Sequence, residues 1–250
     1  MKSKHPFEVY LEWMKNFFIL NSSIVFFTNN RFMKQVKELR PKNLLNKTKF
    51  IELEMEDFYS YKTFLDEFNK TFEIDRENRY HTIPLYLIWA EKCTFLKKAI
   101  TKNYFNSSCF YWIDSGYFRK PKEMKRYINN WPSDKRCNED PRVLFNLLRN
   151  FTEEEIKGIL SFDEKSHNYL QTHINVAGGM FGGKPENIFK FSDLYYNSIR
   201  LFYKNNIYIV KDQNIFTFIA FSHPDIVKLV FSSRNYYFFK KYLSSSENQY

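Results

Sequence analysis

Four short segments carry residues whose types could do chemistry together. The first is the apolar run Ser108-Cys-Phe-Tyr-Trp-Ile-Asp114, which stops at a carboxylate and turns through Ser115-Gly116. A strand-terminal Asp projects where open α/β sheets bind ligands, outside the carboxyl ends of their strands. Such a carboxylate can hold a divalent cation that neutralises a diphosphate leaving group, because Mg²⁺ and Mn²⁺ take oxygen ligands and share them with substrate phosphates. The bland alternative is an Asp that only caps the Asp-Ser-Gly turn.

The second segment, Gly178-Gly179-Met-Phe-Gly182-Gly183, holds four of the six glycines in the chain. It reads as a loop between a strand at Thr172–Ala177 and a helix opened by Pro185. Its N–H groups could approach an anion or a sugar ring, or it could simply be a turn. It lacks both the G-K-[ST] ending of a P-loop and the G-x-G-x-x-G spacing of a dinucleotide site. Lys184 could add a phosphate contact, or be merely solvated.

Asp212-Gln213 supplies a second carboxylate, expected at the end of a short strand, Ile207–Val210. It could take a proton from an acceptor hydroxyl or stabilise an oxocarbenium-like centre; a helix-capping Asp is the competing reading. Lys92 shares a helix face with Trp89 and could reach nucleotide phosphates, or be an ordinary solvated lysine. His223, before Pro224, could ligate a metal, or sit in a turn; His167 and His173 have no partner at ligand spacing. A serine-hydrolase elbow and a Cys-His pairing are both missing from the sequence.

The elements that must position these residues alternate between helix and strand. Helices are expected over Phe7–Leu20, Arg31–Leu39, about Phe58–Phe68, Pro84–Thr101, about Arg142–Arg149, from Thr152, from Pro185 to about Tyr203, and over Asn214–Ser222. Strands are expected over Ser23–Thr28 and Lys49–Leu53 and at the segments above. This is the α/β signature. A chain of 250 residues, 44% hydrophobic and 20% aromatic, builds one core, so one domain over 1–250 is expected, with a polar tail from about 244.

The net charge of +10 attracts anions. The lysines are scattered apart from a cluster at Arg119 to Lys125, so a diphosphate-bearing substrate is expected rather than nucleic acid. No run approaches the roughly 18 apolar residues of a membrane span, and no signal pattern opens the chain. Cys93, Cys109 and Cys137 are odd in number and widely spaced, which suggests a reducing compartment. A soluble, cytoplasmic protein is expected. Five N-x-[ST] triplets carry no weight in so Asn-rich a chain.

Taken in order, Pro84-x4-Trp89-x-Glu91-Lys92, Phe110-Tyr-Trp-Ile-Asp-Ser-Gly116 with Arg119, Asn175-x2-Gly178-Gly179-x-Phe-Gly-Gly183 and Lys211-Asp212-Gln213 resemble the HtrL/YibB-type proteins, which belong with the GT-A nucleotide-diphospho-sugar transferases. The resemblance runs from about residue 7 to 230 and includes Tyr10-Leu-Glu-Trp13, the Ser23–Thr28 strand and Arg40. It implies an α/β fold, a GT-A-like Rossmann-type mixed, mostly parallel sheet flanked by helices, with the usual first strand either lost or belonging to a larger protein of which this chain is a fragment. It implies a glycosyltransferase moving a sugar from a nucleotide-diphosphate donor to a glycan or other hydroxyl acceptor, with Mn²⁺ or Mg²⁺. Position by position, it places Lys92, Trp112, Asp114, Ser115, Gly116 and Arg119 at the donor, and Asn175, Gly178, Gly179 and Lys184 at the sugar and acceptor pocket. It places Asp212 and Gln213 at the reacting centre; Asp114 and His223 are the metal candidates. The family's D-x-D element is reduced to Asp114-Ser-Gly116. The alternative is a degenerate GT-A-like domain that binds a sugar, a nucleotide or a protein without catalysis.

Overall fold

The computed structural model describes residues 5–129, 131–173, 175–209, 211–232 and 236–244. The elements, in order, are α1 (Phe7–Phe18), β1 (Ile24–Thr28), α2 (Asn30–Leu39), β2 (Thr48–Glu52), α3 (Tyr59–Ile74), α4 (Ile83–Lys102), β3 (Phe110–Ile113), α5 (Pro121–Met124), α6 (Asp134–Glu139), β4 (Val143–Leu147), α7 (Glu153–Leu160), α8 (Glu164–Thr172), β5 (Val176–Gly183), α9 (Pro185–Lys204), α10 (Asp212–Ser222), β6 (Val227–Phe231) and α11 (Tyr236–Tyr242). The helix starts follow local chemistry. Asn29 caps α2 by accepting from the Phe32 N–H, Thr152 and Glu155 form a capping box on α7, and Pro185 opens α9 at a position that needs no N–H donor. The polar tail expected from about residue 244 lies almost wholly outside the described residues.

β1 and β2 pair in parallel, joined by a crossover through α2. The larger sheet has the order β3-β5-β4-β6, with β4 and β6 parallel and β5 antiparallel to both its neighbours. β3, β4 and β6 therefore point the same way, and their carboxyl ends share one edge with the start of β5. The fold is mixed α/β, as expected. One face of the sheet packs Phe145 and Phe181, stacked at 4.8 Å, against Phe191 of α9 and Phe216 of α10. The other presents Leu144, Met180 and Val230 to Phe17, Phe118, Trp131 and Phe239. The high aromatic content is spent on these two layers.

Three expectations are corrected. The residues expected as a helix over Arg142–Arg149 form β4, because Val-Leu-Phe-Asn-Leu is a strand buried on both faces, and such runs carry no helix or strand period. The glycine segment is strand β5 itself and not a loop. A Cβ on Gly182 would lie 2.1 Å from the Phe110 carbonyl oxygen, so glycine is there to let β3 approach. Finally, Cys109 and Cys137 form a disulfide with a Cα–Cα distance of 6.2 Å, leaving Cys93 buried and free. A disulfide is at odds with the reducing compartment suggested by the cysteine count. Among the described residues no helix is long and apolar enough to cross a membrane.

Candidate functional site

Asp114, Asp212, Gly178 and Gly179 converge at the carboxyl edge of the sheet, around the buried Lys92. Lys92 lies midway along α4 and is 3% exposed. Its Nζ donates to the Gly178 carbonyl at 2.9 Å, lies 2.8 Å from Asp212 Oδ2 and 3.4 Å from Asp114 Oδ1. The Asp212 contact is an ion pair without hydrogen-bond geometry, since Oδ2 makes no hydrogen bond among the described residues. Burial alone would strip the proton from Lys92, but Asp114 and Asp212 outweigh it and raise the lysine pKa. Lys92 is therefore an inward-facing cation, and its ammonium does not reach out to phosphates as the sequence suggested.

Asp114 directly follows β3, as expected, and its N–H donates to the Gly179 carbonyl at 2.9 Å. Trp112, two residues earlier on the same strand face, donates its indole N–H to Asp114 Oδ1 at 2.7 Å and stacks on Phe95. Trp112 thus orients the carboxylate from behind. With Oδ1 held by Trp112 and facing Lys92, Oδ2 accepts no hydrogen bond among the described residues, and the side chain is 45% exposed. The chain turns at once, with the Tyr117 N–H donating to the Asp114 carbonyl.

β5 is irregular where it meets this cluster. Phe145 of β4 pairs with Phe181, but the next residue, Asn146, pairs with Ala177, so Gly178, Gly179 and Met180 bulge out of the ladder. The bulge turns the Gly178 carbonyl to Lys92. A Cβ on Gly178 would sit 3.0 Å from both oxygens of Asp212, so the absence of a side chain lets that carboxylate close against the strand.

Asp212 is not at a strand end: Ile207, Tyr208 and Ile209 form no strand, and Val210 lies outside the described residues. It is the first residue of α10, where the helix N-terminus favours a negative charge, and it is 3% exposed. Burial raises its pKa, and the charge of Lys92 opposes the rise. Gln213 follows, half-buried, with Oε1 making no hydrogen bond among the described residues.

Three expected site residues lie elsewhere. His223 is at the other end of α10, roughly 16 Å along the helix from Asp212, with its ring against the Ser222 hydroxyl, so it does not share a metal with Asp114. Lys184 is five residues along β5 from Gly179, roughly 16 Å away, and donates to Asn138. Asn175 accepts from Arg149 at 2.6 Å and belongs with Arg149 and Glu155. Ser115 and Gly116 do form the turn beside Asp114. The sequence reading missed what packs on that turn: a Cβ on Gly116 would lie 3.1 Å from the Trp13 ring, and Arg119 lies over the same ring at 4.5 Å. The signal was available in Tyr10 and Trp13, spaced to share one face of α1.

The donor set bears on whether a divalent ion fits. Among the described residues no three His, Cys, Asp or Glu groups meet in a cage. One lysine nevertheless faces two aspartates, and of the two only Asp114 is partly exposed to solvent. One carboxylate oxygen, completed by substrate phosphates and water, is a common way of holding Mg²⁺. The residues fit an ion that arrives with a diphosphate. Asp114 would hold it, and it would supply charge neutralisation for the departing phosphate.

No curated protein and no solved structure matches the chain. The family model described as "Bacterial protein of unknown function (HtrL_YibB)" matches residues 1–244. The chain therefore belongs to the HtrL/YibB family of bacterial proteins.

Proposed function

We propose that this protein is a glycosyltransferase of GT-A type, moving a sugar from a nucleoside-diphosphate donor to a hydroxyl of an acceptor. The observation that carries the reading is Asp114: a half-exposed carboxylate at the carboxyl end of a strand, one oxygen locked by Trp112 and facing Lys92, the other accepting no hydrogen bond among the described residues. Ligands of α/β sheets gather at this edge. The mixed sheet, with three of four strands in one direction and helices on both faces, accords with it.

In the reaction the bond between the sugar C1 and the diphosphate oxygen breaks with its electron pair on the diphosphate. The acceptor oxygen bonds to C1, and its proton passes to the departing diphosphate oxygen. Asp114 positions the diphosphate end of the donor, with Arg119 beside it as an exposed cation. Lys92 fixes Asp114 and draws in the buried Gly178 carbonyl, so the half-buried Gly179 beside Asp114 presents bare backbone to the sugar. In this reading Asp212, closed off behind Gly178, is a positioning residue for Lys92 in place of the base or charge stabiliser expected from the sequence. A site preorganised in this way lowers the barrier by orientation and electrostatics. The test is release of nucleoside diphosphate from UDP-, GDP- and other nucleotide sugars with Mn²⁺ present. Turnover of one donor is expected; no release from any of them, with or without candidate acceptors, would refute the transferase reading.

A further inference from the structure

The segment after the Asp114 turn carries the tightest cluster of positive charge: Arg119, Lys120, Lys122, Lys125 and Arg126 fall within eight residues, against Glu123 alone. All five cations are exposed, whereas Phe118, Met124 and Tyr127 between them are buried. Those three belong to the layer around Trp131, with the Phe118 and Trp131 rings 4.7 Å apart. The apolar anchors turn inward and leave the basic side chains outward. Glu123 is turned inward to Lys240 at 3.4 Å and to Lys120 at 3.7 Å, and neither Lys122 nor Lys125 meets a carboxylate among the described residues. The Cys109–Cys137 disulfide closes the longer stretch of chain within which the segment lies. Its first cation, Arg119, is at the lip of the site, with its Nε near the Gly116 carbonyl.

We infer that this ridge seats the acceptor, and that the acceptor is an anionic glycan carrying phosphate, sulfate or carboxylate groups. The inference rests on the transferase reading for the acceptor role. The ridge points away from other polyanions by what it lacks. Its aromatic residues, Phe118 and Tyr127, are buried and offer no face for stacking bases. Its one large apolar residue outside them, Met124, is also buried, so nothing inserts into a lipid surface. Exposed lysines beside the proposed transfer site match a chain of spaced anions.

The experiment is calorimetric binding of a heparin-derived hexasaccharide, with neutral maltohexaose as control, to the native protein and to K120E/K122E/K125E. The native protein is expected to bind the sulfated chain and not the neutral one, with affinity falling as salt rises, and the variant to lose on the order of tenfold. Should the triple variant melt early, K122Q/K125Q is measured instead, with a loss of about threefold expected. Equal affinity in native and variant proteins overturns the proposal. So does tighter binding of phosphatidylglycerol vesicles or of single-stranded DNA than of the hexasaccharide. Nucleotide response is recorded alongside: ridge binding without any nucleotide response removes the acceptor role and the transferase reading together, whereas nucleotide response without ridge binding removes only this inference.

Discussion

Glu91 and Lys92 are neighbours on α4, both buried, and they end in opposite situations. Glu91, 0% exposed, accepts from the backbone N–H groups of Tyr59 and Ser60 at 3.1 and 2.8 Å. These are first-turn amides of α3, whose own N-cap residue Phe58 offers no side-chain acceptor. Burial raises the Glu91 pKa, and the two N–H groups pull it back. Its partner set is closed: helix amides on one side, core on the other. Lys92 has an equally full set of contacts, but one of its partners, Asp114, is half-exposed and keeps a free oxygen. Burial of a charge therefore does not by itself mark function. What separates the two is whether the compensating charge ends inside the protein or at its surface.

The largest effect expected from breaking this contrast is at Lys92. Lys92→Met leaves Asp212 buried without its cation, which should cost roughly 3–5 kcal/mol in denaturant unfolding and abolish nucleotide binding in the fraction still folded. If nucleotide binding survives that change, Lys92 is only a core ion. Glu91→Ala strands two amides at the start of α3 and should cost about 2–4 kcal/mol, with nucleotide affinity unchanged where the protein is folded. A lost nucleotide response at full folding would erase the distinction between the two residues.

A third cluster, at the opposite edge of the sheet, sharpens the comparison at smaller cost. Asp140 accepts three hydrogen bonds from Arg142, two from the guanidinium and one from the backbone N–H, and pairs with Lys228 at 2.9 Å. The Arg142 hydrogen bonds, with help from Lys228, hold its carboxyl well below the usual range. A depressed carboxylate stabilises the fold above its unfolded pKa near 3.8, and that contribution is lost as pH falls from there toward the lower folded value. Asp140→Asn should therefore cost about 1 kcal/mol at neutral pH, and the gap to the native protein should close in acid. A gap that stays constant with pH would mean that the cluster contributes by packing alone.

How much of this was legible depended on what each residue's partners were. Asp114 could be placed from its own neighbours, because an apolar run ending in Asp-Ser-Gly announces a strand and a turn. The long helices α1, α4 and α9 announced themselves by period and by Pro185. β4 did not, since five buried residues have no polar face to show the period. The glycines pointed correctly to close backbone approach but not to what approaches: Gly182 admits strand β3, while Gly178 admits the Asp212 carboxylate. The inward turn of Lys92 and the Cys109–Cys137 bond are long-range facts that no local spacing encodes. Arg40 is a similar case. Buried at 3%, it donates to the carbonyls of Phe18, Leu20 and Ser22 and so fixes the passage from α1 to β1, a task that its sequence neighbours do not reveal.

The most direct test of the central claim, that Asp114 Oδ2 is the open position of a nucleotide-sugar site, is the thermal transition of native protein and Asp114→Asn. Both are scanned against UDP, GDP and CMP with and without Mn²⁺. At about 100 times the dissociation constant, one nucleotide should raise the native midpoint by roughly 5–10 °C in the presence of the metal. The variant should melt like the native protein without ligand and show no such rise. An equal rise in Asp114→Asn would contradict the account, as would the absence of any rise in the native protein.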